Sequence, residues 1–346
     1  MAKTILGVDI GSDSLKLALV SGEEIINSVV VPIPNSLVKE YHVVSPETMG
    51  ELIRNTMREN GIRAKNAAIV LANELVYVRS VTMPRMTADQ LVYNLPFEFR
   101  DYITEELKDY VYDYAMISTL DDLKAEPQAE SEEAFPDTEE VSRAEMELLA
   151  VAAPIAVVEE SRDMLRKAGL KMVRAAPTVS SYISLIRHLE RQGQGCGEYC
   201  ILDLGYQAIR MYMFRGECHM VTRNLEIGLS SLDDVIADAF NIDVHLAHTY
   251  LLTNYNQCQE SEACLAAFGN ISVELMRALN FYRFSNPDSQ LEDIWLCGGG
   301  AVIAPLRQSI AETLDMRIHQ ADELMPGGQT PESSYSLVQA VGITLE

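Results

Sequence analysis

The sequence predicts an α/β fold made of two related lobes that face each other across a cleft. The chain has 346 residues, which exceeds the roughly 100–200 residues of a typical single domain. A segment near the N-terminus is repeated in the second half, and predicted strands and helices alternate in both halves. Because such alternation is typical of α/β architecture, each half is expected to build its own sheet and core.

The repeat relates residues 9–23, DIGSDSLKLALVSGE, to residues 203–217, DLGYQAIRMYMFRGE. Asp, Gly, Gly and Glu coincide, and similar apolar or basic residues occupy most positions between them. Each copy follows a short apolar run and ends at a glycine, a pattern typical of a β-hairpin with an Asp-x-Gly turn. The alternative is that two buried hairpins resemble each other by chance.

Local signals place the other elements. Ser45 and Pro46 begin a helix that ends at Gly61, and Thr87 opens a capping box before a helix that Pro96 interrupts. Gly298, Gly299 and Gly300 follow the last predicted strand. Strands are expected at residues 67–71, 75–82, 110–118, 147–153 and 293–297, and further helices at residues 155–167, 232–240, 244–252, 271–284 and 304–314.

The composition excludes several classes of function. Fifty-one acidic residues against 27 basic ones give a formal net charge of −24, so binding to nucleic acid is not expected. Part of that charge lies in an acidic segment at about residues 121–142, predicted to be a disordered, solvated linker. No apolar run approaches the ~20 residues of a membrane helix, and no signal peptide is recognised, so a cytoplasmic protein is expected. The cysteines lack a CxxC pair, and His245 and His248 are predicted to be structural.

The glycine-containing turns predict a clamp for a polyphosphate. An Asp-x-Gly turn lets a phosphate approach the backbone because glycine has no Cβ. Asp9 and Asp203 would hold Mg²⁺ through its waters, and Ser12, Ser14 and Lys16 would supply donors and a positive charge. The turn at Gly298–Gly300 lies between a strand and a helix, where nucleotides commonly bind.

These motifs, in their order along nearly the whole chain, resemble the PilM family of type IV pilus assembly proteins, which belongs to the actin, sugar kinase and Hsp70 superfamily and is related to the cell-division protein FtsA. The similar stretches include GVDIGSDSLKLALV, VTRNLEIGLSSLDDVIADAF and WLCGGGAVIAPL. The resemblance implies a two-lobed actin-like ATPase fold, a duplicated ribonuclease H-like fold with a small subdomain inserted in the first lobe. It implies a first lobe at residues 1–82, 168–192 and 330–346, an inserted subdomain at 83–167 and a second lobe at 193–329.

The resemblance also implies ATP and Mg²⁺ as cofactors, with the metal near Asp9 and Asp203. For Glu274 and Arg277, an ordinary surface ion pair is the alternative. The implied nucleotide-binding residues are Asp9, Gly11, Ser12, Ser14, Lys16, Asp203, Gly205, Gly228, Glu274, Arg277, Gly298, Gly299 and Gly300.

Three departures from the family pattern leave the activity open. Asp13 places a carboxylate beside the expected phosphates, and two like charges 4 Å apart repel by about 4 kcal/mol at an effective dielectric of 20. Gln207 and its neighbours replace short hydroxyl residues. Thr178 occupies the expected water-orienting position, where a threonine is no useful general base. The hypotheses are therefore an ATP-binding scaffold, an adaptor that has lost nucleotide, and a slow ATPase.

The resemblance implies that the protein reaches the inner membrane through a partner, the short cytoplasmic N-terminal peptide of a PilN-type protein, and that it meets other pilus assembly proteins. Such a peptide would dock in a groove beside the inserted subdomain, where Pro96 interrupts a helix. The alternative is that the aromatic residues there form the subdomain's own core. The expected contacts are Arg85, Leu95, Phe97, Phe99, Arg100 and Tyr102.

Overall fold

The computed structural model describes residues 4–34, 36–117, 145–327 and 334–345, so the predicted acidic linker lies outside the described residues. The helices are α1 (Pro46–Glu59), α2 (Ala88–Asn94), α3 (Ile155–Lys167), α4 (Thr178–Arg191), α5 (Leu229–Phe240), α6 (Val244–Thr253), α7 (Glu262–Ser285), α8 (Ala304–Leu314) and α9 (Val338–Gly342). The strands are β1 (Thr4–Ile10), β2 (Ser14–Ser21), β3 (Glu24–Pro32), β4 (Val38–Lys39), β5 (His42–Val43), β6 (Asn66–Leu71), β7 (Tyr77–Pro84), β8 (Tyr110–Met116), β9 (Glu145–Pro154), β10 (Lys171–Pro177), β11 (Glu198–Leu204), β12 (Ile209–Arg215), β13 (Cys218–Leu225), β14 (Asp293–Cys297) and β15 (Arg317–Gln320).

Two five-stranded sheets share one topology. The first sheet has the order β3-β2-β1-β6-β10 and the second has the order β13-β12-β11-β14-β15. In each, an antiparallel meander is followed by two parallel strands. The registers also correspond, because Asp9 pairs with Lys16 in the first sheet and Asp203 pairs with Arg210 in the second. The repeat in sequence is therefore a repeat in structure.

Helices cover both faces of these sheets. One face of the first sheet packs against α1 and α3, and one face of the second packs against α5 to α8. Helices α4 and α9 pack in a shared core with residues of both sheets, including Ala18 and Tyr212. The two helices cross closely, since a Cβ on Gly342 would lie 2.4 Å from the Ser181 carbonyl oxygen. Strands covered on both faces read as continuous apolar runs, as in β11.

A third sheet, with the order β7-β9-β8, forms the inserted subdomain with α2 and a 3₁₀ turn at Leu95–Phe99. The predicted capping box is present, because Thr87 and Gln90 each accept a hydrogen bond from the other's backbone N–H. Helix α2 ends at Asn94, and Pro96 lies in the first turn of the 3₁₀ segment that follows. The exact boundaries of the lobes and subdomain stay predictions.

Several predicted elements differ from the structure at their starts, and the helix predicted from residue 232, for example, begins at Leu229. The strand expected from residue 75 begins at Tyr77, because Asn73–Leu75 form a 3₁₀ turn. The helix expected from residue 271 begins at Glu262, where the Ser261 hydroxyl accepts a hydrogen bond from the backbone N–H of Cys264. Because Gly269 and Asn270 interrupt the apolar pattern, the sequence did not predict that the helix begins this early.

Candidate functional site

A cavity of about 570 Å³ lies between the first and second sheets. Its size falls within the roughly 300–1,000 Å³ range of small-molecule pockets. Both Asp-x-Gly hairpins and the late glycine turn contribute to its walls. The predicted nucleotide-binding residues that it brings together are Asp9, Gly11, Ser12, Ser14, Lys16, Asp203, Gly205, Gly298 and Gly299.

Two glycines allow the backbone to approach closely at this cavity. The Gly11 N–H donates to the Ser14 carbonyl oxygen at 3.0 Å, and a Cβ on Gly11 would lie 2.6 Å from Lys16 Nζ. Gly298 has a φ of +85°, and a Cβ there would lie 2.4 Å from Asp203 Oδ1. A side chain at either position would fill the space beside a charged group, so the turns fit a ligand that contacts bare backbone.

The first hairpin carries a paired cation. Lys16 Nζ lies 3.2 Å from Asp9 Oδ2, and both side chains are largely buried. Burial alone would lower the pKa of Lys16, but the Asp9 and Asp203 carboxylates outweigh it and raise the pKa. Lys16 therefore stays a cation, and it can neutralise a phosphate only in competition with Asp9.

The second hairpin pairs its groups with other elements. Gln339 Nε2 donates to Asp203 Oδ2 at 3.0 Å, and Arg210 Nε donates to Glu74 Oε1 at 2.9 Å. Burial raises the pKa of Asp203 against the opposing effect of Arg210 and Lys16. The sequence-based site omitted Arg210, although its position 194 residues after Lys16 was a signal for it.

His248 lies in the cavity wall, although the spacing of the two histidines predicted only a structural role. Its Nε2 is 3.5 Å from Asp13 Oδ1, and its Nδ1 is 3.0 Å from Asp233 Oδ2. Hydrogen bonds to Asp13 and Asp233 raise the pKa of His248 to about 10 against the opposing effect of burial. The Asp13 carboxylate, which was expected to repel phosphate, therefore faces an imidazolium.

Four predicted nucleotide-binding residues are not among those that line the cavity. Gly228 precedes α5, and a Cβ there would lie 2.2 Å from the Tyr206 carbonyl oxygen. Gly300 is buried against Leu204. Glu274 and Arg277 pair with each other on α7, with side chains 41% and 67% exposed. This placement matches a surface ion pair, and their contact with a nucleotide stays a prediction.

The charges around the cavity bear on whether ATP and Mg²⁺ fit. Its walls carry the carboxylates of Asp9, Asp13, Glu74 and Asp203, and the cationic groups of Lys16, Arg210 and His248. Within the described residues, no group of three or more potential ligands could hold a metal by itself. Mg²⁺ commonly retains waters and binds one or two carboxylates together with substrate phosphates. The residues therefore fit a Mg²⁺-bound nucleotide better than a bare one.

The predicted peptide-binding residues separate into two groups. Leu95 and Phe99 are 2% and 0% exposed in the subdomain's own core. A peptide could reach these two side chains only by unpacking that core, so their burial matches the alternative that they belong to the subdomain's own core. Phe97 and Tyr102 are 56% and 50% exposed. Arg85 and Arg100 are also exposed, and the Arg100 guanidinium lies 5.1 Å from the centre of the Phe97 ring.

A groove of about 510 Å³ lies between β7 and β13, the edge strands of the third and second sheets. We call it the edge-strand groove. Ser80 Oγ donates to the His219 carbonyl oxygen at 3.2 Å and so links its two sides. The Tyr102 ring lies 3.7 Å from the guanidinium of Arg79, which lines the groove. None of the described residues that line it is acidic, although the chain carries a net charge of −24.

Duplicated sheets around a cleft, with two Asp-x-Gly hairpins and a glycine turn at its walls, define an actin-like ATPase fold. The chain belongs to the family described as type IV pilus assembly protein PilM, whose family model matches residues 7–325. The resemblance seen in the sequence is confirmed.

Two solved structures illustrate the similarity. A PilM–PilN type IV pilus biogenesis complex is 23% identical, with 98% of this chain and 97% of that chain covered and a TM-score of 0.78. The ethanolamine utilization protein EutJ from Carboxydothermus hydrogenoformans is 14% identical, with 100% and 89% covered and a TM-score of 0.59. In the parts of the chain that the structure describes, no helix is long and apolar enough to cross a membrane.

Proposed function

We propose that this type IV pilus assembly protein is a scaffold that binds Mg²⁺-ATP in its cleft and holds the N-terminal peptide of a PilN-type membrane protein. The observation that carries the nucleotide part is the convergence of both Asp-x-Gly hairpins and the Gly298 turn on one cavity. The peptide would attach the scaffold to the inner membrane, where it would meet other assembly proteins.

The pairing of the carboxylates favours a scaffold over an ATPase. Asp9 faces Lys16, Glu74 faces Arg210, and Asp203 accepts from Gln339. A general base must be free to accept a proton from the attacking water. Thr178 lies in the cavity wall but supplies no such base. Hydrolysis should therefore be slow or absent.

Titration calorimetry with Mg²⁺-ATP tests the nucleotide part. The wild type should bind, the affinity should fall at least tenfold when EDTA removes Mg²⁺, and Lys16→Met should weaken binding. Lys108→Met, which changes an exposed lysine outside the cavity wall, is the matched control. At a ligand concentration of 100 Kd, stability should rise by about 2.7 kcal/mol.

The alternatives predict other results. If millimolar Mg²⁺-ATP gives no heat of binding and no shift in melting temperature, the hypothesis of an adaptor that has lost nucleotide binding is favoured. Phosphate release clearly above background would instead favour the slow ATPase.

For the peptide, we propose the edge-strand groove. Edge strands present unpaired N–H and C=O groups that an added strand can use. The groove is flanked by two edge strands, and its wall includes the accessible side chains of Val78, Met220 and Val221 but no acidic residue among the described residues. This lining fits an extended peptide with apolar side chains. The partner class comes from the similar solved complex, which contains PilN.

Fluorescence anisotropy with a labelled synthetic PilN-type N-terminal peptide tests this location. Met220 is 37% exposed in the groove, so Met220→Glu should weaken binding at least tenfold by placing a charge against the apolar peptide, while Met220→Leu should bind normally. The double variant Phe97→Ala with Arg100→Glu should also bind normally. Loss only in that double variant would place the contact on the face predicted from the sequence, and loss in neither would place it elsewhere.

A further inference from the structure

We infer that Asp13, His248 and Asp233 form a latch across the cleft that holds the first hairpin against α6 and keeps the two sheets closed on the cavity. Asp13 lies in the β1–β2 turn of the first sheet. His248 lies on α6 and Asp233 on α5, and both helices pack into the core of the second sheet. One imidazolium therefore bridges carboxylates on two bodies of the fold. The inference does not depend on the nucleotide proposal.

The buried half of the latch orients the histidine. Asp233 is 0% exposed, and both of its carboxylate oxygens lie within 3.2 Å of His248 Nδ1. A buried carboxylate costs free energy unless it is paired, so Asp233 holds the ring in its charged form. The Tyr206 ring packs edge-on at 5.1 Å between centroids and limits rotation of the imidazole.

The cross-cleft half is the weaker contact. His248 Nε2 and Asp13 Oδ1 are 3.5 Å apart, and the two side chains are 20% and 31% exposed. A partly exposed pair contributes modestly because water screens it. A contact of this strength can open without unfolding either sheet, which is what a latch requires.

The charge state of the latch follows from every group that faces it. Asp13 and Asp233 stabilise the imidazolium, Lys16 is a further cation near Asp13, and Tyr206 has its pKa raised to about 12 by burial and by Asp233. The pKa of His248 is raised from 6.5 to about 10. In the unfolded chain a histidine has an ordinary pKa of about 6.5. The charged His248 therefore contributes its full stabilisation below about pH 6.5, and this contribution is lost as the pH rises through about 10.

Hydrogen exchange of the full-length protein without nucleotide tests the latch. Asp13→Asn leaves the His248–Asp233 contact intact, so it should fold normally and should raise the exchange rate of the amides at residues 11–15 at least fivefold. Glu51→Gln, which changes an exposed ion pair on α1, should leave those rates unchanged. Exchange at residues 11–15 that is the same in Asp13→Asn as in the wild type would overturn the latch.

A pH series supplies a second readout. Between pH 7 and 10 the exchange rates at residues 11–15 in the wild type should approach those of Asp13→Asn, because deprotonation of His248 removes the bridge. In Asp13→Asn the exchange rates at residues 11–15, corrected for the intrinsic exchange rate, should not change with pH. If the corrected exchange rates rise with pH by the same factor in the wild type and in Asp13→Asn, then His248 interacts only with Asp233, and the latch is overturned.

Discussion

At the scale of single residues, Gly298 and Gly299 are adjacent glycines with different constraints. Gly298 has a φ of +85° and stands against Asp203, whereas a Cβ on Gly299 would meet only Leu229 at 3.6 Å. With a ψ of 175°, this backbone conformation is essentially restricted to glycine and costs an L-residue about 1–3 kcal/mol before any clash is counted. Gly298→Ala should therefore lower the free energy of unfolding by at least that amount in urea denaturation.

Gly299→Ala is the matched control for that prediction. Its effect should stay within about 0.5 kcal/mol, as for most substitutions that create no strain. Equal effects of the two substitutions would show that the turn relaxes to accept a Cβ at Gly298.

A second residue-scale prediction concerns His219 and acid. Burial lowers the pKa of His219 to about 4, and its Nε2 lies 2.9 Å from Thr222 Oγ1. In the unfolded chain this histidine binds a proton as the pH falls below about 6.5, whereas in the native protein it stays neutral until the pH approaches 4. The stability contribution is therefore present above about pH 6.5 and is lost as the pH falls toward 4.

Urea denaturation from pH 7 to 4 measures this effect. His219→Gln should flatten the loss of stability in that range relative to the wild type, while His42→Gln, at an exposed histidine, should retain the loss. An unchanged slope in His219→Gln would assign the acid sensitivity to other groups.

At the scale of elements, the 3₁₀ turn after α2 presents two phenylalanines to different environments. Phe99 is 0% exposed and its ring centre lies 5.7 Å from that of Tyr112, whereas Phe97 is 56% exposed. Removing a buried phenylalanine ring typically costs about 3–5 kcal/mol. Phe99→Ala should destabilise the inserted subdomain by that order, and Phe97→Ala by less than about 0.5 kcal/mol.

Calorimetric melting with limited proteolysis checks the pair, because cleavage at the subdomain should accompany the loss of Phe99. Similar melting of both variants would mean that the turn does not anchor the third sheet.

At the scale of the whole molecule, the duplicated hairpins use their basic residues differently. Lys16 pairs with Asp9 in its own hairpin, whereas Arg210 of the second sheet pairs with Glu74, which follows β6 of the first. Arg210 is 9% exposed and the Glu74 side chain is 25% exposed. Because the contact is partly screened, Glu74→Gln should cost about 1–2 kcal/mol, below the roughly 3–5 kcal/mol for breaking a fully buried pair.

Equilibrium unfolding in urea measures that cost. Glu292→Gln, which removes one exposed partner of Arg317, should change stability by less than about 0.5 kcal/mol. If both substitutions lower the free energy of unfolding by similar amounts, the Glu74–Arg210 pair contributes no more stability than a surface ion pair.

By itself the sequence determined the features that depend on short-range order. The repeat of residues 9–23 at 203–217 predicted two hairpins with one register, and the capping residues Ser45 and Thr87 predicted where helices begin. These signals are readable because turns and caps need particular residues at particular positions. The repeat predicted two lobes and most of the cavity walls, whereas the actin-like fold was implied by the resemblance to the PilM family.

Only the tertiary structure decided which side chains meet across the cleft and which apolar residues are buried. Asp13 and His248 are far apart in the sequence, and nothing local to either indicates their contact. Phe97 and Phe99 are two residues apart in one turn, yet one is exposed and the other is in the core. The physical reason is the same for both pairs, because charge pairing and burial depend on the elements that pack around a residue rather than on its neighbours in the chain.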